Sequence, residues 1–123
     1  MKSSKVTAIT VDELVRRFTA IAIAQDKAIF DENNVEYRRL YDQMQAVTKE
    51  LKCRSGDQRS SLLPLYTHPN LQVRLMAALD TLDIAPPASR EVLQGIVDFR
   101  RYPQAADALA AIWRIDGKPL VQD

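Results

Sequence analysis

Glycine, cysteine and charge of one sign are all scarce in this sequence, and each scarcity argues against a class of protein. Only three glycines occur in 123 residues, so neither of the common glycine-rich loops that cradle phosphate can form. The single cysteine, Cys53, has no partner for an internal disulfide, which favours a cytoplasmic location. The formal net charge is only +1, whereas nucleic-acid-binding domains usually carry a marked basic excess.

Long apolar runs are missing as well. The most apolar early stretch, residues 18–24, ends at Gln25 and Asp26 and is far shorter than the ~20 residues that a membrane-spanning helix needs. The first ten residues lack the apolar core and the small-residue cleavage site of a secretory signal. We therefore expect a soluble, unexported protein with no membrane partner.

Residues that could carry out catalysis or bind a metal are equally sparse. Cys53 and the single histidine, His68, have simpler roles as a helix-end residue and a turn residue beside Pro69. One histidine and one cysteine cannot complete a zinc site. No combination of nucleophile, base and oxyanion donor can be named. The sequence therefore predicts no enzyme activity, no cofactor and no metal site.

The residues that are present follow a helical period almost throughout. A capping box at Thr10 and Glu13 starts a first helix, whose apolar stripe runs over Leu14–Ile29. A second stripe runs over Tyr37–Leu51. Because the link at Asp31–Asn34 is short, these two long helices are expected to form an antiparallel hairpin.

The second half of the chain consists of shorter segments. Gln58–Tyr66 predicts a short helix that bends at Pro64, because proline removes one backbone hydrogen bond. The next helix begins after Asn70 as its N-cap, and another runs over Pro87–Phe99. The apolar face of the last helix consists of Ala106, Leu109, Ile112 and Trp113.

A repeat is visible in this half. A shift of 33 residues places the apolar positions of Leu63–Leu82 on those of Ile96–Ile115. Units of this kind bury their apolar faces by stacking. The sequence therefore predicts one all-α domain over residues 1–123, a short α-α superhelix of about six helices: the N-terminal hairpin and two repeats of about 33 residues. Residues 1–9 and 117–123 are expected to be frayed.

The segment LLPLYTHPNLQVRLMAALDTL, residues 62–82, resembles a HEAT repeat. The residues that carry this resemblance are Pro69, Val73, Arg74, Ala77, Ala78 and Leu79. More broadly, the chain resembles a small bacterial family of domains of unknown function, numbered twenty-nineteen, over VDELVRRFTAIAIAQDKAI, LPLYTHPNLQVRL and YPQAADAL. The resemblance implies a HEAT- or armadillo-like fold and carries no established activity.

The same resemblance implies a reason for the position of Arg74 in the most apolar helix. In HEAT repeats this arginine lies along the seam between units and binds turn carbonyls or a neighbouring acid. The shift of 33 residues sets Arg74 opposite Asp107, which is one candidate partner. We expect a structural role for Arg74 rather than contact with a ligand.

The segment FRRYPQ, Phe99–Gln104, is the most interaction-like loop. Arginine and tyrosine are enriched at interface hot spots, which makes Arg100, Arg101 and Tyr102 a candidate partner surface. Phe99 and Tyr102 could instead be core residues on either side of a turn.

The leading functional hypothesis is a non-catalytic protein–protein interaction module with an unidentified protein partner and an accessory role such as neutralising a toxin. The alternative is a HEAT-like domain that binds nucleic acid through a local basic face, which the near-neutral charge makes the weaker hypothesis. That face would consist of Arg38, Arg39, Lys49, Lys52, Arg54 and Arg59. The last helix, through Ala105, Leu109, Ile112 and Trp113, is also expected either to form a homodimer or to be covered by a tail containing Leu120 and Val121.

Overall fold

The structure, a computed structural model, describes residues 6–117, and every regular element in that range is helical. Two long helices come first, α1 over Val11–Phe30 and α2 over Asn34–Cys53. A 3-10 helix covers Gln58–Thr67. Three further helices follow: α3 over Leu71–Asp80, α4 over Pro86–Phe99 and α5 over Gln104–Asp116. The all-α fold class predicted from the sequence is confirmed.

The chain forms two compact units, one ending at Leu65 and the other beginning at Tyr66. In the first unit α1 packs against α2, as expected for a helical hairpin. In the second unit α4 contacts both α3 and α5, and α3 also contacts α5. The single domain over residues 1–123 and the superhelical stacking of the repeats stay predictions.

The first helix begins with the predicted cap. The backbone N–H of Glu13 donates to Oγ1 of Thr10 at 3.1 Å. The Glu13 carboxylate accepts from Nη2 of Arg16 at 2.7 Å, rather than from the Thr10 N–H that would complete a capping box. The hairpin core consists of Leu14, Phe18, Ala22 and Ala28 from α1 and Leu40, Met44, Val47 and Leu51 from α2, all of them buried.

The end of α2 holds the start of the chain through Arg54. Its Nη2 donates to the carbonyl oxygens of Ile9 at 2.8 Å and Val6 at 3.3 Å, and its Nε donates to Glu50 Oε2 at 2.6 Å. Residues 6–8 form a helical turn that these bonds fix in place, so the predicted fraying does not describe them. Residues 1–5 and 118–123, for which fraying was also predicted, lie outside the described residues.

The short helix predicted around Pro64 is present, but it is a 3-10 helix. Pro64 has no backbone N–H, and its ring clashes with the carbonyl four residues earlier in an α-helix. The tighter 3-10 geometry pairs each residue with the third one along the chain and occurs mostly in short connecting segments. The difference in helix type is therefore consistent with the proline.

A buried arginine follows α2. The side chain of Arg59 is only 7% exposed, and it forms two hydrogen bonds with Asp57, from Nε to Oδ1 at 2.9 Å and from Nη2 to Oδ2 at 2.7 Å. Asp57 has a positive φ of 53°, a conformation that aspartate tolerates better than most residues. The hydrogen bonds from Arg59 lower the pKa of the Asp57 carboxyl to about 2.

This pKa predicts an acid-sensitive contribution to stability from Asp57. An aspartate in an unfolded chain has a pKa of about 3.9, so the ionised carboxyl stabilises the folded state above pH 4. The contribution is lost as the pH falls from about 4 to about 2. Urea unfolding of wild type and Asp57→Asn should show the largest difference near pH 6 and convergence towards pH 2. A difference that is constant with pH would contradict the prediction.

Helix α3 begins as predicted, since the side-chain oxygen of Asn70 accepts from the backbone N–H of Val73 at 3.1 Å. The predicted face of α5 is wrong in one respect: Ala106 is exposed, although its equivalent under the 33-residue shift, Val73, is fully buried. Leu109 and Trp113 are half-buried. The buried residues of α5 are Gln104, Ala105, Ala108, Ala111 and Ile112, a stripe that places Ala106 on the opposite side of the helix.

None of the helices within residues 6–117 combines the length and the apolar character needed to span a membrane.

Candidate partner surface

The predicted partner residues lie together in the turn between α4 and α5. We call residues 99–103 the arginine turn: it begins with Phe99, the last residue of α4, and ends with Pro103, which follows a cis peptide bond. Arg100, Arg101 and Tyr102 are all exposed. The turn is thus a continuous exposed segment between two helices of the second unit.

The two aromatic side chains of the arginine turn lie on the surface. Phe99 is 64% exposed and Tyr102 is 66% exposed. The sequence left two alternatives open, core residues on either side of the turn or surface residues. The structure shows that both are surface residues. Tyrosine and arginine are enriched at binding hot spots, and aromatic residues in general, phenylalanine included, are enriched at protein interfaces.

Arg100 occupies an unusual backbone position. It follows the last residue of α4 with φ 61° and ψ 31°, and its N–H donates to the carbonyl of Val97 at 3.2 Å. Helices commonly end with a residue in this left-handed conformation, and that residue is usually glycine, because a Cβ atom is disfavoured there. The chain instead has a long cationic side chain at this position.

Two acids flank the turn. Asp98 Oδ1 accepts from the amide nitrogen of Gln94 at 3.1 Å. Asp107 lies in the first turn of α5, and burial raises the pKa of its carboxyl above the ordinary value. The two carboxylates therefore partly offset the positive charge of Arg100 and Arg101.

A buried pair of glutamines, which the sequence did not reveal, positions this end of the unit. Nε2 of Gln104, the first residue of α5, donates to Oε1 of Gln72 in the first turn of α3 at 3.0 Å. Both residues are about 1% exposed. The bond therefore places the N-termini of α3 and α5 side by side, next to the arginine turn. The sequence signal that could have indicated this pair is a polar residue inside an apolar run, Gln72 between Leu71 and Val73.

Of the HEAT-type residues, Pro69 lies in the turn before α3 and the others lie within that helix. Val73 and Ala77 are fully buried, Leu79 is half-buried and Pro69 is exposed. Arg74 is half-buried, and its Nη1 donates to the carbonyl oxygen of His68 at 2.7 Å.

Of the two contacts predicted for Arg74, the structure therefore shows the turn carbonyl. The pairing with Asp107 is wrong: burial is what perturbs the Asp107 carboxyl, and the guanidinium binds the turn that precedes its own helix. His68 is only six residues before Arg74. This contact is therefore local and does not depend on packing against the second repeat.

The two candidate nucleophilic or metal-binding residues have separate surroundings. Cys53 is an exposed free thiol at the end of α2. Nδ1 of His68 accepts from the backbone N–H of Asn70 at 3.0 Å, which stabilises the turn before α3. Within residues 6–117, no group of three His, Cys, Asp or Glu side chains is placed to hold a metal ion.

The helices described above make this an all-α protein with an exposed turn in its second unit. Residues 12–116 match the family described as "Domain of unknown function (DUF2019)", and because this match covers most of the chain, the chain belongs to that family. The family membership predicted from the sequence is confirmed, whereas the HEAT-like detail stays a resemblance.

A solved structure supports the fold. The chain is similar to the protein RPA1889 from Rhodopseudomonas palustris CGA009, whose crystal structure it matches with a TM-score of 0.89. The two sequences are 37% identical, and the match covers 96% of this chain and 98% of that one. No curated protein matches the chain.

Proposed function

We propose that this chain is a non-catalytic protein–protein interaction module that binds a protein partner through the arginine turn. The observation that carries the proposal is the exposure of Phe99 and Tyr102, about two-thirds of each residue, beside two arginines. Covering apolar surface contributes roughly 25 cal/mol per Å². Tyrosine and arginine are also the residue types most often found at interface hot spots.

An accessory role in the cytoplasm, such as neutralising a toxin, belongs to the same proposal. The exposed free thiol of Cys53 supports a reducing compartment, where unpaired thiols persist. The identity of a stoichiometric partner captured from a native lysate decides between this role and other accessory roles.

A pull-down from a native lysate tests the proposal with a matched pair of double variants. Phe99→Ala/Tyr102→Ala removes the two aromatic rings of the arginine turn. Phe30→Ala/Tyr41→Ala removes one phenylalanine and one tyrosine from exposed positions in the first unit, where they are 84% and 43% exposed. We expect the first variant to lose the partner, since a hot-spot side chain contributes about 2 kcal/mol or more, and the control to retain it.

Two results would count against the proposal. One is a stoichiometric partner that both double variants retain equally, which would place the binding surface elsewhere. The other is recovery of nucleic acid rather than protein by the wild-type chain.

The nucleic-acid alternative has less support, because the predicted face of six cations is not assembled as expected. Arg59 is buried against Asp57, Arg54 binds Glu50 and two backbone carbonyls, and Arg39 pairs with Glu36 at 2.5 Å. The other three cations of that set, Arg38, Lys49 and Lys52, are exposed, and the charge of Lys52 helps to lower the pKa of the Asp57 carboxyl.

A homodimer through α5 stays a prediction. Ala105 and Ile112, two of the four residues expected at such an interface, are already 2% and 3% exposed. Leu109 and Trp113 are half-buried, so they are the residues of that face with surface left to bury. The alternative cover, a tail containing Leu120 and Val121, lies outside the described residues.

A further inference from the structure

We propose that the chain forms a homodimer in which one flank of α2 packs antiparallel against the same flank of a second copy. This surface, which we call the tyrosine flank, consists of Asn34, Tyr37, Arg38, Tyr41 and Asp42. The five residues line an open hollow of about 500 Å³ on the first unit. The proposal goes beyond the proposed function and does not depend on the arginine turn, which lies in the second unit.

The residues of the tyrosine flank recur at helical spacing. Counted from Asn34, they occupy positions i, i+3, i+4, i+7 and i+8 of α2, so they share one side of the helix. Tyr37 is half-buried, the other four residues are exposed, and 43% of Tyr41 is exposed. The flank therefore has surface left to bury, and a second helix is the element whose side-chain rows fit along it.

The charges of the tyrosine flank favour a second copy of the chain as the partner. Arg38 and Asp42 are both exposed and lie one helical turn apart. With the cation first, their order is the less favourable one for an ion pair within a helix, and the nearby Glu36 and Arg39 pair with each other. A two-fold rotation makes this surface complementary to itself, because Arg38 of each copy then faces Asp42 of the other.

This pairing fixes the register of the two helices. An antiparallel arrangement that sets Arg38 opposite Asp42 places the two-fold axis midway between them, at position 40. Tyr41 then lies opposite position 39, within the stretch that lines the hollow of the other copy. The exposed ring of each Tyr41 enters that hollow, where an aromatic side chain gains by burial.

The same register brings opposite charges together at both ends of the contact. Lys49, exposed towards the end of α2, lies opposite position 31 in the link of the other copy. Glu32 is the exposed acid next to that position, whereas Asp31 pairs with Lys27. Because exposed ion pairs each contribute little free energy, these charges mainly set the register, and the tyrosines contribute most of the buried apolar surface.

Sedimentation velocity of the full chain over a concentration series tests the dimer. A contact along one helix is at the small end of specific interfaces, so wild type should change from monomer to dimer between about 1 and 500 µM. Arg38→Asp and Asp42→Arg should each weaken association at least about tenfold, because like charges then face each other twice. Both positions are exposed, so the thermal unfolding midpoints should stay close to that of wild type.

A mixture of the two variants gives the sharpest test. The Arg38→Asp chain has acids at both positions, and the Asp42→Arg chain has arginines at both. An equimolar mixture should therefore form a heterodimer in which both ion pairs are restored, although neither variant associates alone. Arg114→Asp is the matched control, because Arg114 is an exposed arginine of α5, and it should dimerise as wild type does.

Three results would overturn the inference. The first is a wild-type chain that stays monomeric at every concentration. The second is a dimer that both charge-reversed variants retain, which would place the interface elsewhere, for example on α5. The third is a mixture of the two variants that stays monomeric, which would show that the loss did not come from reciprocal pairing. A monomeric chain would still bind its partner through the arginine turn, so the two proposals fail independently.

Discussion

Replacing Phe18 with alanine is expected to cost the folded state about 3–5 kcal/mol of unfolding free energy. Phe18 lies in the middle of α1 and has 0% of its surface exposed. The cost combines the lost transfer free energy of the ring with a cavity that close-packed neighbours cannot fully refill. Since folded domains are usually stable by only about 5–15 kcal/mol in total, the variant should lose a large part of its stability.

The same helix provides a matched control. Phe30 is the last residue of α1 and is 84% exposed, so Phe30→Ala removes the same ring where water already surrounds it. Its effect should stay within about 0.5 kcal/mol. Urea unfolding followed by far-ultraviolet circular dichroism measures both variants, and similar losses for the two would show that Phe18 is not the core residue described here.

The contrast between these two phenylalanines shows what could be predicted from the sequence. The apolar stripe of α1 recurs at helical spacing and includes Phe18, whereas Phe30 falls outside it, beside the polar link. The spacing therefore identifies both the helix and its buried face. A local pattern was sufficient because the large apolar residues of α1 are concentrated on one side.

Helix α5 shows where that reasoning fails. Its sequence, QAADALAAIWRID, has alanine on every side of the helix. Alanine favours helix strongly, but it is small enough to be accommodated either inside or outside. The helix itself was therefore predictable, whereas the burial of Ala105 and the exposure of Ala106 depend on packing against α3 and α4.

The arginine turn was predictable as a loop but not in its geometry. Pro103 and the adjacent arginines mark the end of α4. The left-handed conformation at Arg100 could not be inferred, because glycine is the usual signal for it. The exposure of Phe99 and Tyr102 likewise depends on the path of the chain around the turn, so both alternatives were open until the structure was known.

The buried glutamine pair gives the second large effect, through Gln72→Leu. This change removes the acceptor of the Gln104 side-chain N–H bond. Among the residues that the structure describes, Oε1 of Gln104 is buried without a hydrogen-bond partner, so the variant leaves the whole Gln104 amide unsatisfied. The expected loss is about 1–3 kcal/mol, the cost of desolvating a polar group that is left unpaired.

The same substitution in the other glutamine, Gln104→Leu, should lower the free energy of unfolding by less. This difference between the two variants tests whether the glutamines act as a pair. Gln104→Leu also breaks the bond, but it removes the buried Oε1 atom that has no partner. The double variant leaves neither amide at the contact, so its loss should fall below the sum of the two single losses by about 0.5–3 kcal/mol. Urea unfolding followed by the fluorescence of Trp113 in α5 measures all three variants. Strictly additive losses would mean that Gln72 and Gln104 are not energetically coupled, and the bond between them would then not be what holds the N-termini of α3 and α5 together.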